Sequence, residues 1–399
     1  MDYQPYQGGP VPGAPAAPQP VYPPQGYPQQ GYAQQGYAPQ GYAQLAAMPQ
    51  GYPQAAPQPV FVPQSMPQPM MPQTVPTQTV YYVPVKDLRV KNGAKAFNRM
   101  NLVTLLQFLL AFAVEIPLVS ALTMMGKDIY GDGMLLTLLE GAMVPLSTAL
   151  PFLLVMILSR QPAAEYLKFR KTDKVETLLL VLAGLAVVLA ANIPAGWLQD
   201  LMNQGGYDPT PQLTEMTTIP QFLAEFAITA ILVPIMEEFA FRGVLLTRLE
   251  RHGEVFALVG SALIFSLAHM DATTVIFAFL AGLVFGFLYM RTRNLWVSIC
   301  LHALNNGLAV IGSAGDLLFA EQYWDLADAL LFYLPIALGV IALVLLLIFK
   351  RRALLEPLQS EHLTARPLSL GESVLAYVRA PGFWAMVAMS VVYTVSQFL

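Results

Sequence analysis

Apolar runs close to twenty residues long recur from Leu102 to the C-terminus of this 399-residue chain, and they restrict its fold more than any other feature. Inside a bilayer no water satisfies backbone N–H and C=O groups, so runs of that length become helices packed as a bundle. Nine candidate spans fit the pattern: 101–125, 134–158, 176–198, 221–241, 255–271, 273–290, 294–312, 329–349 and 383–399. The last is short and weakly anchored. The expected fold is therefore all-α, a polytopic transmembrane helical bundle of eight or nine spans over residues 101–399. Charged residues make up 12% of the chain, about half their share in soluble domains. Cys300 is the single cysteine, which excludes a disulfide framework and a thiolate metal cluster. No segment before Leu102 is apolar enough to form a signal-peptide core, so no cleaved leader is expected.

Charge placement gives the expected orientation. Lys86, Arg89, Lys91, Lys95 and Arg99 form a basic juxtamembrane segment over 86–100. Further basic ends follow at Arg160 to Lys174, at Arg242, Arg248 and Arg251, at Arg291 with Arg293, and at Lys350 to Arg352. Acidic residues hold the alternate loops, with Asp200, Asp208 and Glu215 in one and Asp316, Glu321, Asp325 and Asp328 in another. The positive-inside rule puts the basic ends in the cytoplasm, in an integral protein of the plasma membrane. Basic residues that flank spans in this way do not make a nucleic-acid face.

Residues 1–85 are a different polymer. They carry 20 of the 33 prolines, a single charge at Asp2, and Gln-Gly-Tyr at 25–27, 30–32, 35–37, 40–42 and 50–52. Such a segment buries too little to offset its chain entropy, so a disordered, cytoplasmic N-terminal tail is expected. It serves either as a solubilising tail or as a Tyr/Gln/Pro arm for protein partners.

Against this apolar background, three polar constellations stand out. Glu237, Glu238 and Arg242 interrupt the run from Ile228 to Leu249. Phe265 and His269 follow on the next span, and His302 and Asn306 on the seventh. Ionisable groups at membrane depth are expensive and usually functional. Gly253 suits the turn between two antiparallel helices. Glu237 lies sixteen residues before it and His269 sixteen after, so each is roughly 24 Å from the turn along its own helix. An antiparallel hairpin therefore brings Glu237 and His269 to one depth, and His302 enters from the same side. The cavity they share is expected to open to the cytoplasm.

Spacing within each helix assigns faces. Glu238 and Arg242 are i,i+4 and can pair, while Glu237 points about 100° away and stays free. A Glu–Arg pair of this kind is commonly structural, because a buried charge must be matched. His302 and Asn306 are also i,i+4 and present two hydrogen-bonding groups to one point. Glu115 and Glu140 line a cavity or merely sit near span ends. Cys300 and His302 are i,i+2 and do not face each other, which excludes a Cys–His nucleophile. No His-Glu-x-x-His, phosphate loop or dinucleotide fingerprint occurs.

Two chemistries suit these residue types. A carboxylate base can activate water while a His and an Asn amide hold a tetrahedral oxyanion. Alternatively, one Glu and two His (Glu237, His269, His302) are the ligand types of a catalytic zinc with an open fourth position. The Asn would be an odd zinc ligand and a natural oxyanion donor, which favours the version that requires no cofactor. The same cavity could also persist in a non-catalytic membrane scaffold or bacteriocin-immunity protein.

Glu-Glu-x-x-x-Arg at 237–242, Phe-x-x-x-His at 265–269 and His-x-x-x-Asn at 302–306 resemble the three motifs of the CAAX protease and bacteriocin-processing (CPBP, or Abi) intramembrane proteases. That family includes the eukaryotic CAAX prenyl endopeptidase. The resemblance covers about 175–320. It implies an intramembrane endopeptidase acting on a membrane-associated peptide or protein. It implies that Glu237 and His269 activate a water, that His302 and Asn306 form the oxyanion hole, and that Glu238, Arg242 and Phe265 support them. The family is named as metalloproteases, although a metal-free glutamate mechanism is also argued for it.

Overall fold

The computed structural model describes residues 85–399, except 130, 208–215, 362, 364–365 and 399. The expectation for the N-terminal tail, and the acidic positions Asp208 and Glu215, lie outside the described residues. Among the described residues the chain is all-helical, with one isolated antiparallel bridge between Phe169 and Asn294.

Seven of the described helices are long and apolar enough to cross a membrane. They are α1 (Asp87–Met124), α2 (Gly133–Leu158), α3 (Lys174–Asn203), α4 (Ile219–His252), α6 (Ala272–Thr292), α7 (Leu295–Ser313) and α8 (Glu321–Phe349). Between α4 and α6 lies a shorter apolar helix, α5 (Glu254–Leu267). At the C-terminus α9 (Leu370–Val378) and α10 (Pro381–Ser396) meet at a 69° bend; counted as one span, they make eight. The fifth expected span is thus cut short. Helix α5 has 14 residues and ends before His269, because the chain must turn there to start α6.

Helix starts follow local chemistry. Asp173, Thr218, Asp271 and Asn294 each accept a backbone N–H from the first turn of the helix they precede. This satisfies donors that would otherwise be orphaned. Ser369 and Glu372 form a reciprocal capping box at α9. Gly253, at φ +127°, takes a backbone conformation closed to other residues and makes the α4–α5 turn. Across that hairpin Phe241 and Phe265, equidistant in sequence from Gly253, meet at 5.1 Å. Helix α8 packs closely along α3. A Cβ on Gly339 would collide with Ala186 and lie 2.5 Å from the Leu182 carbonyl oxygen, so only glycine permits this crossing.

The basic ends gather at one end of the bundle. Arg248 donates to the Val155 carbonyl at 3.2 Å, and Arg293 pairs with the buried Glu250. Ser360, Glu361 and Leu368, which precede α9, also reach this end. Ser360 donates to the Glu250 carbonyl at 2.8 Å, Leu368 donates its N–H to the His252 carbonyl at 2.9 Å, and Glu361 meets Lys168 at 2.6 Å and Arg170 at 2.8 Å. Burial pushes the Glu361 carboxyl up, but the Lys168 hydrogen bond and the charges of Arg293 and Arg170 reverse this and hold it below its ordinary 4.5. A depressed carboxylate stabilises the fold at neutral pH, and that contribution is lost as pH falls below about 4.5. Glu361→Gln should therefore lower stability by about 1–2 kcal/mol at pH 7 and flatten the acid limb, as read from detergent melts across pH.

Candidate active site

Two irregular stretches of α4 shape the site. Residues Phe226–Leu232 and Glu238–Leu246 are π-helical, a winding that concentrates at functional sites. The first has a definite cause. Pro234 has no N–H to give. The Val233 N–H is taken by the Ile228 carbonyl in the wider register. In that register Thr229 would be served by residue 234, so its carbonyl has no backbone donor. That carbonyl accepts the Asn306 side-chain amide of α7 at 3.0 Å. Asn305 donates in turn to the Asn306 side-chain oxygen at 3.2 Å. Asn306 is thereby oriented from both ends.

The acid pair divides as its spacing predicts. Glu238 and Arg242 are both fully buried and pair at 2.8 Å. The Glu238 Oε1 also accepts from His302 Nδ1 at 3.0 Å. A carboxylate oxygen can only accept here, so Nδ1 carries a proton and the His302 ring is fixed. Its Nε2 lies 3.8 Å from Glu237 Oε2. The Arg242 guanidinium donates to the Gly282 carbonyl at 3.3 Å and sits 4.3 Å from the centre of the Phe265 ring and 5.1 Å from that of Phe285. Those aromatic faces offset part of the cost of burying the cation. Phe285 stacks on His302 with ring centres 4.7 Å apart. His269 Nδ1 faces the Phe265 carbonyl at 2.9 Å. A carbonyl accepts only, so Nδ1 carries a proton, and Nε2 has no hydrogen-bond partner among the described residues.

Glu237, His269, His302 and Asn306 all line one cavity of about 790 Å³, and Phe265 lines it as well. Glu238 and Arg242 lie behind His302 in the core. The cavity leads from Glu237, Phe285 and His302 to Gln199, Gly312 and Asp328. Those three occupy the helix ends remote from the basic residues, so the expected opening at the basic end is not met. The reason is packing: Leu245, Leu246, Leu288 and Tyr289 are buried and fill that side.

The three candidate zinc ligands do not converge. Among the described residues no group of three His, Cys, Asp or Glu side chains is arranged to hold a metal ion. His269 and His302 each give Nδ1 to an acceptor, a carbonyl and the Glu238 carboxylate, which by itself is compatible with a ligand at Nε2; what is missing is convergence of the three side chains on one point. As arranged, Glu237, His269 and His302 do not fit a zinc site.

Thr229, Asn305 and Phe285 were not singled out by sequence pattern. Thr229 and Asn305 act through a backbone carbonyl and an amide, and Phe285 is one aromatic among many in α6. Pro234, three residues before Glu237, was the one available signal. Glu140 and Glu115 are exposed on α2 and α1 and do not line this cavity.

Residues 219–308 match the family described as type II CAAX prenyl endopeptidase Rce1-like. The chain is 27% identical over 159 residues to YdiL of Bacillus subtilis (strain 168), named as a membrane peptidase; the match covers 39% of this chain and 65% of YdiL. It is 31% identical over 115 residues to MroQ of Staphylococcus aureus (strain USA300), named as a membrane-embedded CAAX protease; the match covers 27% of this chain and 47% of MroQ. The matched stretches thus span less than two thirds of YdiL and less than half of MroQ. No solved structure matches the chain.

Proposed function

We propose that this polytopic membrane protein, whose residues 219–308 match the Rce1-like CAAX endopeptidases, is an intramembrane endopeptidase that hydrolyses a peptide bond in a membrane-associated substrate. The single observation that carries the reading is the cavity itself, which Glu237, His269, His302 and Asn306 line together from four separate positions in the chain. Glu237, partly exposed to that cavity, takes a proton from a water oriented by the free Nε2 of His269 as the water oxygen bonds to the scissile carbonyl carbon; the C–N bond then breaks and Glu237 returns that proton to the leaving amine. His302 Nε2, when it carries the second ring proton, donates to the oxyanion beside the amide of Asn306; the Glu238 carboxylate on Nδ1 balances the charged ring, and Arg242 holds Glu238 in place. No metal is required in this reading. Preformed donors of this kind contribute about 3–4 kcal/mol each to proteolysis.

The cavity walls suit a peptide segment with apolar side chains near the cut. Phe277, Leu308, Leu331 and Phe332 supply apolar contact, and Gln199 and Asp328 supply polar contact at the mouth. CAAX-type C-termini and precursor peptides both fit that description. With the basic end cytoplasmic, the mouth faces the other side or the bilayer. Terminal proteomics of membranes with and without the protein tests the function. New termini close to predicted spans or C-termini are expected, and their complete absence would instead favour a non-catalytic scaffold.

Pro234→Ala tests the support of the oxyanion donor. It restores an N–H that competes for the Thr229 carbonyl and releases Asn306. Cleavage should slow by about 10-fold or more, with the melting temperature within a few degrees of wild type.

A further inference from the structure

The turn that carries His269 is held in a conformation that its own residues do not favour. Helix α5 ends at Leu267, and His269 lies in the turn beyond it. Met270 has φ +62°, the left-handed region that a long side chain rarely occupies. Such a conformation persists only where its surroundings over-determine it. Here they do, from an unexpected quarter. Ser390 of α10 donates to the Met270 carbonyl at 2.5 Å, and Thr394 of α10 donates to the same oxygen at 3.4 Å. Thr394 Oγ1 also accepts the Ala272 N–H at 3.0 Å. One hydroxyl therefore spans the turn, touching the residues on either side of Asp271. Asp271 completes the grip. Its Oδ1 accepts the N–H groups of Thr273 and Thr274 at 3.0 Å each, and its Oδ2 accepts the hydroxyl of the buried Tyr207.

We propose that Ser390 and Thr394, from a helix outside the matched family segment, are positioning residues for His269, with Asp271 as the fixed anchor between them. This rests on the reading of His269 as a catalytic residue. The physical argument is the backbone path. His269 keeps its Nδ1 on the Phe265 carbonyl only if the chain leaves α5 at the right angle, and the left-handed Met270 sets that angle. Without the α10 hydroxyls the Met270 carbonyl loses its side-chain donors and the Ala272 N–H its acceptor. The turn then relaxes toward ordinary φ values and swings the imidazole away from Glu237. The C-terminal helix pair thereby acquires a role in the reaction without touching substrate.

The test is steady-state cleavage by the full chain in nanodiscs, using a peptide found by terminal proteomics. Thr394→Val keeps shape and loses the hydroxyl, Ser390→Ala removes the second donor, and Thr394→Ser keeps both functions. The double variant Ser390→Ala/Thr394→Val should lose about 10- to 100-fold in kcat with KM within about twofold. The single Thr394→Val should show a smaller loss in the same parameter, and Thr394→Ser should match wild type. A merely structural role would lower the melting temperature or the folded fraction in Thr394→Val while leaving kcat per folded enzyme unchanged. Wild-type kcat in both Thr394→Val and the double variant, alongside an inactive His269→Ala, would overturn the positioning role alone. An active His269→Ala would overturn the catalytic reading beneath it. If the double variant fails to fold, the Thr394→Val and Thr394→Ser pair decides on the same criterion.

Discussion

Glu237→Gln should abolish cleavage while leaving the protein inserted and folded. The substitution keeps shape and volume and removes only the basic oxygen. Glu237 lies at the cavity wall with its carboxylate 3.8 Å from His302, while the nearby Arg242 pairs directly with Glu238 instead. Losing a general base costs on the order of 10²- to 10⁴-fold, which leaves little above background. The melting temperature in detergent should stay near wild type, because no buried cation depends on Glu237 as its direct partner. Cleavage at an undiminished rate would remove Glu237 from the reaction.

The neighbouring substitution should behave differently. Glu238→Gln is expected to cost stability as well as activity. Glu238 and Arg242 are both fully buried, and the same Glu238 oxygen holds His302. Removing one partner of a buried pair leaves an uncompensated charge in a low-dielectric core, at about 3–5 kcal/mol. The His302 ring also loses the charged acceptor that fixes it and keeps at best the weaker amide oxygen, so the oxyanion donor is weakened along with the fold. The contrast between two adjacent glutamates, both changed to glutamine, makes the comparison sharp. If Glu238→Gln melts with the wild type, the ion-pair role of Glu238 is wrong.

Much of this was legible in the sequence, for identifiable reasons. The i,i+4 spacing of Glu238 and Arg242 separated the structural acid from the free one, and the pair forms. Gly253 and the equal offsets of Glu237 and His269 located the hairpin, and Phe241 and Phe265 meet across it. Span length was less legible. Apolarity continues through His269, yet α5 stops at Leu267 because the turn at Met270 is set by α10, more than a hundred residues later. The direction of the cavity was not legible either. Depth along a helix does not say which end is filled, and buried leucines around 245 and 288 close the basic end. The partners of Asn306 were hidden for a similar reason: a freed backbone carbonyl leaves no mark beyond a proline.

In the proposed reaction Glu237, with His269, activates water directly in this cavity. Cleavage by purified wild type and Glu237→Gln, measured before and after metal depletion with elemental analysis of the same samples, tests it most directly. Wild-type cleavage should survive depletion, and Glu237→Gln should be inactive throughout. Cleavage that disappears together with stoichiometric zinc, and returns when zinc alone is added back, would contradict it.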